Sequence, residues 1–233
     1  MSETPTQLLE RALAGRDVRS CRVLVAGGFK DGDSVSCLAG NAFQIAHDER
    51  NAPVPMGRSG ERRDLLVSIT DEGPVRMLAL AQVAPESGVL GIGVDLCSTE
   101  DFGEDEAGER FARLLFTDGE KALFDHLEGP VPTRRAMAFS AKEASFKATA
   151  APLRRWYEGH DEELFFEAMD FELYPGGITR GTARKRHEDR AQRACERMGI
   201  DRIEVSFADY QGMVLCVAVA LGQRGGGFVP LGS

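Results

Sequence analysis

Gly91-Ile92-Gly93-Val94-Asp95-Leu96 and, further along, Phe139-Ser140-Ala141-Lys142-Glu143-Ala144-Ser145-Phe146-Lys147 are the stretches on which the reading of this chain turns. In the first, a period of two sends Ile92, Val94 and Leu96 to one face of a strand and Gly91, Gly93 and Asp95 to the other. The apolar face belongs against a core. The opposite face offers a carboxylate beside two residues without side chains. Either the strand makes room there for a ligand to approach its backbone, or Asp95 ends the strand and caps the next segment. A dinucleotide fingerprint is excluded, because Leu96 stands where G-x-G-x-x-G needs its last glycine. The second stretch is helix-forming, and helical spacing puts Phe139, Glu143, Phe146 and Lys147 near one face. From Arg134 to Arg155 the cations Arg134, Arg135, Lys142, Lys147, Arg154 and Arg155 stand against Glu143 alone, a local basic excess.

Upstream of these stretches, Thr6–Leu13 has the spacing of a helix face, Val23–Ala26 reads as a short strand, and Val35–Ala46 carries a weaker helical pattern. Residues Glu49–Arg63, with Pro53, Pro55, Gly57 and Gly60 among charges, read as loop. Leu65–Thr70 and Val75–Val83 pair as strands across an Asp71-Glu72-Gly73-Pro74 turn. Pro85–Gly88 breaks the chain before the strand Val89–Leu96, which sets the expected boundary: an N-terminal half over 1–88 and a C-terminal half over 89–222. The second half continues with a helix from Arg110 to about Leu127 and another at Arg134–Thr149. A strand at Phe165–Leu173, a basic helix at Thr182–Met198 and closing strands Arg202–Ala208 and Met213–Leu221 complete it. The first half reads as a shorter version of the same order. Residues 223–233, opening on Arg224-Gly225-Gly226-Gly227, read as a mobile tail.

With 233 residues, 42% apolar and 28% charged, the chain has the composition of an ordinary globular protein. Its balance of 28 Lys and Arg against 37 Asp and Glu gives −9, which excludes the global basic field of a nucleic-acid binder. An anionic ligand must find a local patch. The longest apolar run, Met213–Leu221, falls well short of the roughly 20 residues that cross a bilayer, and Met1–Gly15 lacks the basic start and apolar centre of a signal peptide. The expectation is a cytoplasmic protein without membrane contact. Cys21, Cys37, Cys97, Cys195 and Cys216 are scattered without CxxC spacing, as reduced thiols are. His47, His126, His160 and His187 form no zinc-binding pattern.

Asp95 and the Phe139–Lys147 helix together resemble the paired signature of the 4′-phosphopantetheinyl transferase superfamily, a strand ending G-V-D or G-I-D and a helix of the type F-S-x-K-E-A-x-x-K. Between them, Arg110-Phe111 through Phe116-Thr117-Asp118-Gly119-Glu120 resembles the family's RF…F-(S/T)-x-x-E segment, and Ser68-Ile69-Thr70-Asp71 resembles its S-x-S-H strand end. The resemblance is good over residues 65–150, fair at the closing strands and poor before residue 60.

The resemblance implies an α+β fold of the two-half type, with two similar α/β halves related by a pseudo-twofold and coenzyme A in the cleft between them. The implied reaction moves the 4′-phosphopantetheine arm from coenzyme A to a serine of an acyl or peptidyl carrier protein, releasing 3′,5′-ADP. It implies Mg²⁺, for which Mn²⁺ can substitute, held by Asp95 and Glu143. Lys147 would contact the pyrophosphate and offset charge on the departing ADP. Lys142 and the hydroxyls of Ser68 and Thr70 would help hold the coenzyme. Glu120 is the candidate general base, with Glu143 acting through water as the alternative. A two-half chain makes its cleft within one molecule, so a monomer is expected.

Three positions depart from the pattern. Cys97 stands where many members place a third acidic ligand, and a thiol is a poor partner for hard Mg²⁺. Asp71 stands where the family's histidine meets the 3′-phosphate. Ala39-Gly40-Asn41 replaces the usual A-G-R, leaving Arg58, Arg62 or Arg63 to supply cations. These departures motivate a competing reading, a non-catalytic or repurposed homologue that binds coenzyme A or a carrier protein. A third is a different coenzyme A-dependent or phosphate-handling enzyme on the same scaffold. The segment Arg180, Arg184, Lys185, Arg186, Arg190, Arg193 and Arg197 reads either as a dock for an acidic carrier protein or as a salt-bridged solvated helix.

Overall fold

The computed structural model describes residues 3–26, 34–36, 42–58, 60–125, 129–172 and 190–222. The first half runs α1 (Pro5–Ala12), β1 (Val18–Ala26), β2 (Ser34–Ser36), β3 (Ala42–His47), β4 (Pro53–Gly57), β5 (Gly60–Glu61), β6 (Leu65–Glu72) and β7 (Val75–Val83). After a turn of 3-10 helix at Pro85–Ser87 come β8 (Val89–Cys97), α2 (Glu106–Leu115), α3 (Asp118–Phe124), α4 (Val131–Ala148), α5 (Ala150–Gly159), α6 (Arg190–Arg197), β9 (Arg202–Tyr210) and β10 (Met213–Leu221). Among the described residues no helix is long and apolar enough to cross a membrane.

Two antiparallel sheets carry the fold. One has the order β1-β7-β6 and the other β8-β10-β9, so each places its first strand beside its last and its second outside. The inserts differ: a small sheet, β2-β3-β4-β5, fills the gap between β1 and β6, whereas helices α2 to α6 fill the gap between β8 and β9. The fold is thus mixed α and β, with the 1-3-2 strand order occurring twice.

Both sheets bury one face in a common core. Val23, Leu66, Met77 and Ala81 of the first sheet meet Ile92, Val94, Leu96, Leu215 and Val217 of the second, with Leu8, Leu9 and Leu13 of the N-terminal segment. Helix α1 begins where Thr4 and Gln7 form a reciprocal cap and Pro5 takes the first turn, where no N–H is required. It bridges the sheets: Thr6 Oγ1 accepts from Val23 N at 3.1 Å, and Arg11 donates to Phe207 O at 3.2 Å. The far face of the first sheet is covered by Phe43 and Ile45, and that of the second by α4 and α6 through Ala141, Ala144, Ala148 and Ala194.

Along the facing edges of β6 and β8, side-chain hydroxyls stand in for ladder carbonyls. Ser68 Oγ accepts from Val94 N at 3.0 Å, and Thr70 Oγ1 accepts from Leu96 N at 3.2 Å. Both hydroxyls are buried. Alternate residues on one strand therefore meet alternate residues on the other, as the period of two demands.

Several expectations are corrected. Residues 35–46 form no helix in the described part; Ala42–His47 is a strand, with Phe43 and Ile45 inward and Gln44 and Ala46 outward. The expected loop over 49–63 contains β4 and β5. The single helix from Arg110 is two helices, broken at Phe116-Thr117 because Thr117 caps a new one: its side chain accepts from Glu120 N while Glu120 accepts from Thr117 N. Helix α5 lies where no element was read. The expected strand from Phe165 is a non-strand segment with one 3-10 turn at Ala168–Asp170. It is held by Tyr157, whose hydroxyl accepts from Leu164 N at 3.0 Å and donates to Leu164 O at 3.1 Å. Of the helix read over 182–198, Arg190–Arg197 is described. Ala39-Gly40-Asn41, residues 173–189 and the tail over 223–233 lie outside the described residues.

Candidate active site

The site is built where α4 lies against β8. Gly91 and Gly93 are needed here, because a Cβ on either would overlap the carbonyl oxygen of Ala148 or Ala144. The room made by the glycines is filled by α4, which corrects the expectation of a ligand reaching the strand backbone. Ser140 Oγ also donates to Asp95 O at 3.3 Å. Four helical residues rise about 6 Å and two strand residues span nearly the same length, so contacts at Ser140, Ala144 and Ala148 match Asp95, Gly93 and Gly91 in step. The match sets Glu143 and Lys147 beside Asp95.

Lys147 Nζ lies 2.7 Å from Asp95 Oδ1. Thr70 Oγ1 stands 3.3 Å from that same oxygen and 3.3 Å from Lys147 Nζ. Asp95 is buried, and Glu143 is half-buried with no hydrogen-bond donor among the described residues. Burial, with the charge of Asp95 adding to it, pushes the Glu143 carboxyl above its ordinary value, and Lys147 only partly offsets this. Two carboxylates beside one ammonium are a set of oxygen donors that could hold a divalent cation.

A cleft of about 800 Å³ opens over these residues. Its walls carry Glu72, Asp95, Asp101 and Glu143, an aromatic wall of Phe102, Phe111 and Phe139, and Lys147 as the one cation among its described lining residues. The three rings pack with centroids 5.5 to 6.4 Å apart. Cys97 is buried in the wall, and its thiol is pushed far up by burial and then by Asp95, Glu72 and Asp101. On the other side of Lys147 and Asp71 lies a smaller cavity of about 330 Å³, lined by His47, Arg50, Arg76 and Arg154 together with Asp48 and Phe146. There the Arg50 guanidinium sits 3.6 Å over the Tyr157 ring, and Arg154 is held 2.9 Å from Glu61. Asp71 is the cross-strand partner of Arg76.

Asp95, Glu143, Lys147 and Thr70 come together in the larger cleft, and Ser68 lines the smaller cavity with its hydroxyl turned to the Val94 N–H. Glu120 and Lys142 line neither. Their side chains are buried against each other, with Lys142 Nζ 2.6 Å from Glu120 Oε1 and 2.7 Å from Phe171 O. Neither a coenzyme contact by Lys142 nor general-base work by Glu120 fits that placement, because both polar ends are spent inside the protein. Arg62 is engaged in a two-pronged bond to Asp64 at 2.8 Å, Arg63 pairs with Glu158, and Arg58 is exposed away from both cavities. Arg50 and Arg76 are the cations that sequence reading missed. They sit after β3 and on β7, where only the turn opposite Asp71 hinted at one of them. Among the described residues no cluster of three or more His, Cys, Asp or Glu is arranged to hold a metal; Asp95 and Glu143 are the carboxylates of the cleft that could hold one as a pair.

The sequence model of the 4′-phosphopantetheinyl transferase superfamily matches residues 91–207, half of the chain. The chain is 34% identical over 93 residues to a holo-(acyl-carrier-protein) synthase of Methylorubrum extorquens (strain PA1), spanning 38% of this chain and 61% of that protein. It is 28% identical over 138 residues to the protein of the same name from Enterobacter sp. (strain 638), spanning 57% of this chain and 97% of that one. Among solved structures, the holo-ACP synthase of Plasmodium yoelii aligns at 20% identity and a TM-score of 0.41, covering 58% of this chain and 96% of that one. The Helicobacter pylori holo-(acyl-carrier-protein) synthase in complex with coenzyme A aligns at 16% identity and a TM-score of 0.38, covering 55% and 98%. The matched span runs from Gly91 of the glycine-bearing strand through the whole of the α4 motif, and on it this chain belongs to the 4′-phosphopantetheinyl transferase superfamily.

Proposed function

We propose that this protein transfers the 4′-phosphopantetheine arm of coenzyme A to a serine of an acyl or peptidyl carrier protein, releasing 3′,5′-ADP, as a monomer in the cytoplasm. The observation that carries the reading is an acidic cleft and a cationic cavity meeting at Lys147. Coenzyme A is anionic at its pyrophosphate and 3′-phosphate and uncharged along its pantetheine arm. It therefore needs cations at its nucleotide end and a divalent ion beside the reacting phosphorus. Arg50 and Arg76 suit the first requirement, and the phenyl wall of the cleft suits the arm.

Asp95 and Glu143 suit Mg²⁺ or Mn²⁺, hard cations that take one or two carboxylates and keep water and substrate oxygens for the rest. When bound, such an ion polarises the pyrophosphate oxygens as a Lewis acid. The protein's own groups do the remaining work. Lys147 orients the pyrophosphate and meets the negative charge that grows on the ADP oxygen as its bond to phosphorus breaks. The carrier serine oxygen attacks the phosphorus bearing the pantetheine arm, forming the new P–O bond as the bond to ADP breaks. Its proton passes to Glu143 through an intervening water. General-base help of this kind is worth about 10²–10⁴-fold.

Incubation with an apo carrier protein, coenzyme A and Mg²⁺, read as the intact mass of the carrier, tests the proposal. Gain of one phosphopantetheine arm is expected. An unchanged carrier, with coenzyme A bound to this protein, overturns transfer in favour of a non-catalytic homologue.

A further inference from the structure

Thr70 belongs to the first half of the chain, yet its hydroxyl stands at the centre of the second half's charged site. A hydroxyl has one proton to give and two lone pairs to receive. Here all three are in use: Thr70 Oγ1 donates to Asp95 Oδ1 at 3.3 Å and accepts from Leu96 N at 3.2 Å and from Lys147 Nζ at 3.3 Å. The side chain is buried, and a β-branched residue is stiff about its first torsion, so the oxygen is held where the backbone puts it.

We propose that Thr70 is a positioning residue of the transfer reaction, whose hydroxyl holds the Asp95 carboxylate and the Lys147 ammonium in the geometry that receives the cation and the pyrophosphate. The inference rests on the function proposed above. Both Thr70 and Lys147 bind Oδ1 of Asp95, which fixes the plane of the carboxylate and leaves Oδ2 for other ligands. Ser68 separates this role from that of a plain seam residue. Two positions earlier on β6, it makes the same kind of bond, to Val94 N, and among the described residues it hydrogen-bonds to neither Asp95 nor Lys147. Closing the seam therefore needs only one bond per hydroxyl, and the two further bonds of Thr70 serve the charged pair.

The test is Mn²⁺ binding to the intact chain in the presence of coenzyme A, read as the loss of the free-ion electron paramagnetic resonance signal, together with kcat and the KM for carrier protein. Thr70→Val is expected to weaken Mn²⁺ binding about tenfold, in line with the loss of other groups that orient metal ligands. It is expected to lower kcat while leaving the carrier KM unchanged, and Thr70→Ser is expected to restore both. A folded Thr70→Val with wild-type Mn²⁺ affinity and only a lower melting temperature would overturn the proposal and leave Thr70 a seam residue. If Thr70→Val does not fold, Thr70→Ala replaces it with the same expectation. Weakened binding in a folded Thr70→Ser also counts against the role. Absence of Mn²⁺ binding by the unmodified chain would remove the metal reading and this inference together, whereas wild-type binding that Thr70 variants share removes the inference alone.

Discussion

Lys142 Nζ lies 2.6 Å from Glu120 Oε1 with both side chains withdrawn from solvent, so α3 and α4 are joined by a buried ion pair. Lys142 belongs to the Phe139–Lys147 motif and Glu120 to the Phe116–Glu120 segment, yet the pair lines neither cavity. Removing one partner leaves the other charge buried without compensation, which costs about 3–5 kcal/mol. Lys142→Met is therefore expected to lose most of that in urea unfolding, and adding Glu120→Gln to recover part of it. The KM for coenzyme A of the folded fraction is expected to stay at the wild-type value. A large rise in KM with unchanged stability would put Lys142 on the coenzyme.

The two carboxylates of the cleft and its thiol are expected to behave oppositely. Asp95→Asn and Glu143→Gln should each abolish transfer with the fold intact by circular dichroism. Cys97→Ala should transfer at close to the wild-type rate. Because burial and the surrounding carboxylates keep the Cys97 thiol protonated, and the thiolate is the reactive form, iodoacetamide at pH 8 should leave it unmodified in mass spectra of the native protein. Rapid labelling, or a large loss in Cys97→Ala, would give the thiol a part in the chemistry.

Asp71 lines both cavities, but it is registered against Arg76, and Arg50 lines the smaller one. Coenzyme A is accordingly expected to be used better than its 3′-dephospho form. Arg76→Ala should cut that preference about tenfold, the value of one charge-assisted bond of roughly 1.5 kcal/mol. Equal use of both donors by the unmodified chain would mean that these cations do not meet the 3′-phosphate.

Asp64 is held to a pKa of about 2, below its ordinary 3.8, chiefly by the two-pronged bond from Arg62, with Gln82 adding a third donor. A depressed carboxyl stabilises the folded state above its unfolded pKa, and that contribution is lost as pH falls through the folded value. Asp64 is about a third exposed, so solvent screening limits the effect to about 1 kcal/mol. Asp64→Asn should be less stable than wild type by that amount at pH 7, with the difference closing between pH 4 and 2 in urea titrations. A gap that stays constant to pH 2 would assign the loss to packing.

Gly93→Ala would drive a methyl group into the Ala144 carbonyl, with backbone rather than a flexible side chain as the obstacle. A loss of about 3 kcal/mol or more in thermal unfolding is expected. At Gly103 an added Cβ would meet Asp105 at ordinary contact distance, its nearest atom Oδ1 at 3.4 Å, and Gly103→Ala should stay within about 0.5 kcal/mol of wild type.

The strand and helix that build the site were legible because their signals are local: alternation in Ile92, Val94 and Leu96, and helical spacing from Phe139 to Lys147. The hairpin of β6 and β7 was legible for the same reason, with Gly73 taking the positive φ of 54° in its turn. What misled was burial by distant chain. Phe43 and Ile45 alternate, but the strand is short and its burying partners, Leu65, Val67, Leu78 and Leu80, come later in the sequence. Charges posed the same difficulty. Nothing local distinguishes Lys142, which turns inward to Glu120, from Lys147, which turns to Asp95, although both lie on one helix. The break at Thr117 was readable in Thr117-Asp118-Gly119-Glu120, whose threonine and glutamate three residues apart are the mark of a capping box.

The core common to both sheets bears on what the chain would become if cut in the 3-10 turn at Pro85–Ser87. Each fragment would keep a complete three-stranded sheet in the 1-3-2 order, yet each would bare the face that the other now covers, Leu66, Met77 and Ala81 on one piece and Ile92, Val94 and Val217 on the other. Neither piece would retain a working site, since Thr70 would leave with the first and Asp95 and Lys147 with the second. Each bared face is complementary to the other, so mixing the fragments should re-form the common core, and recovery of the proposed transfer would report their reunion.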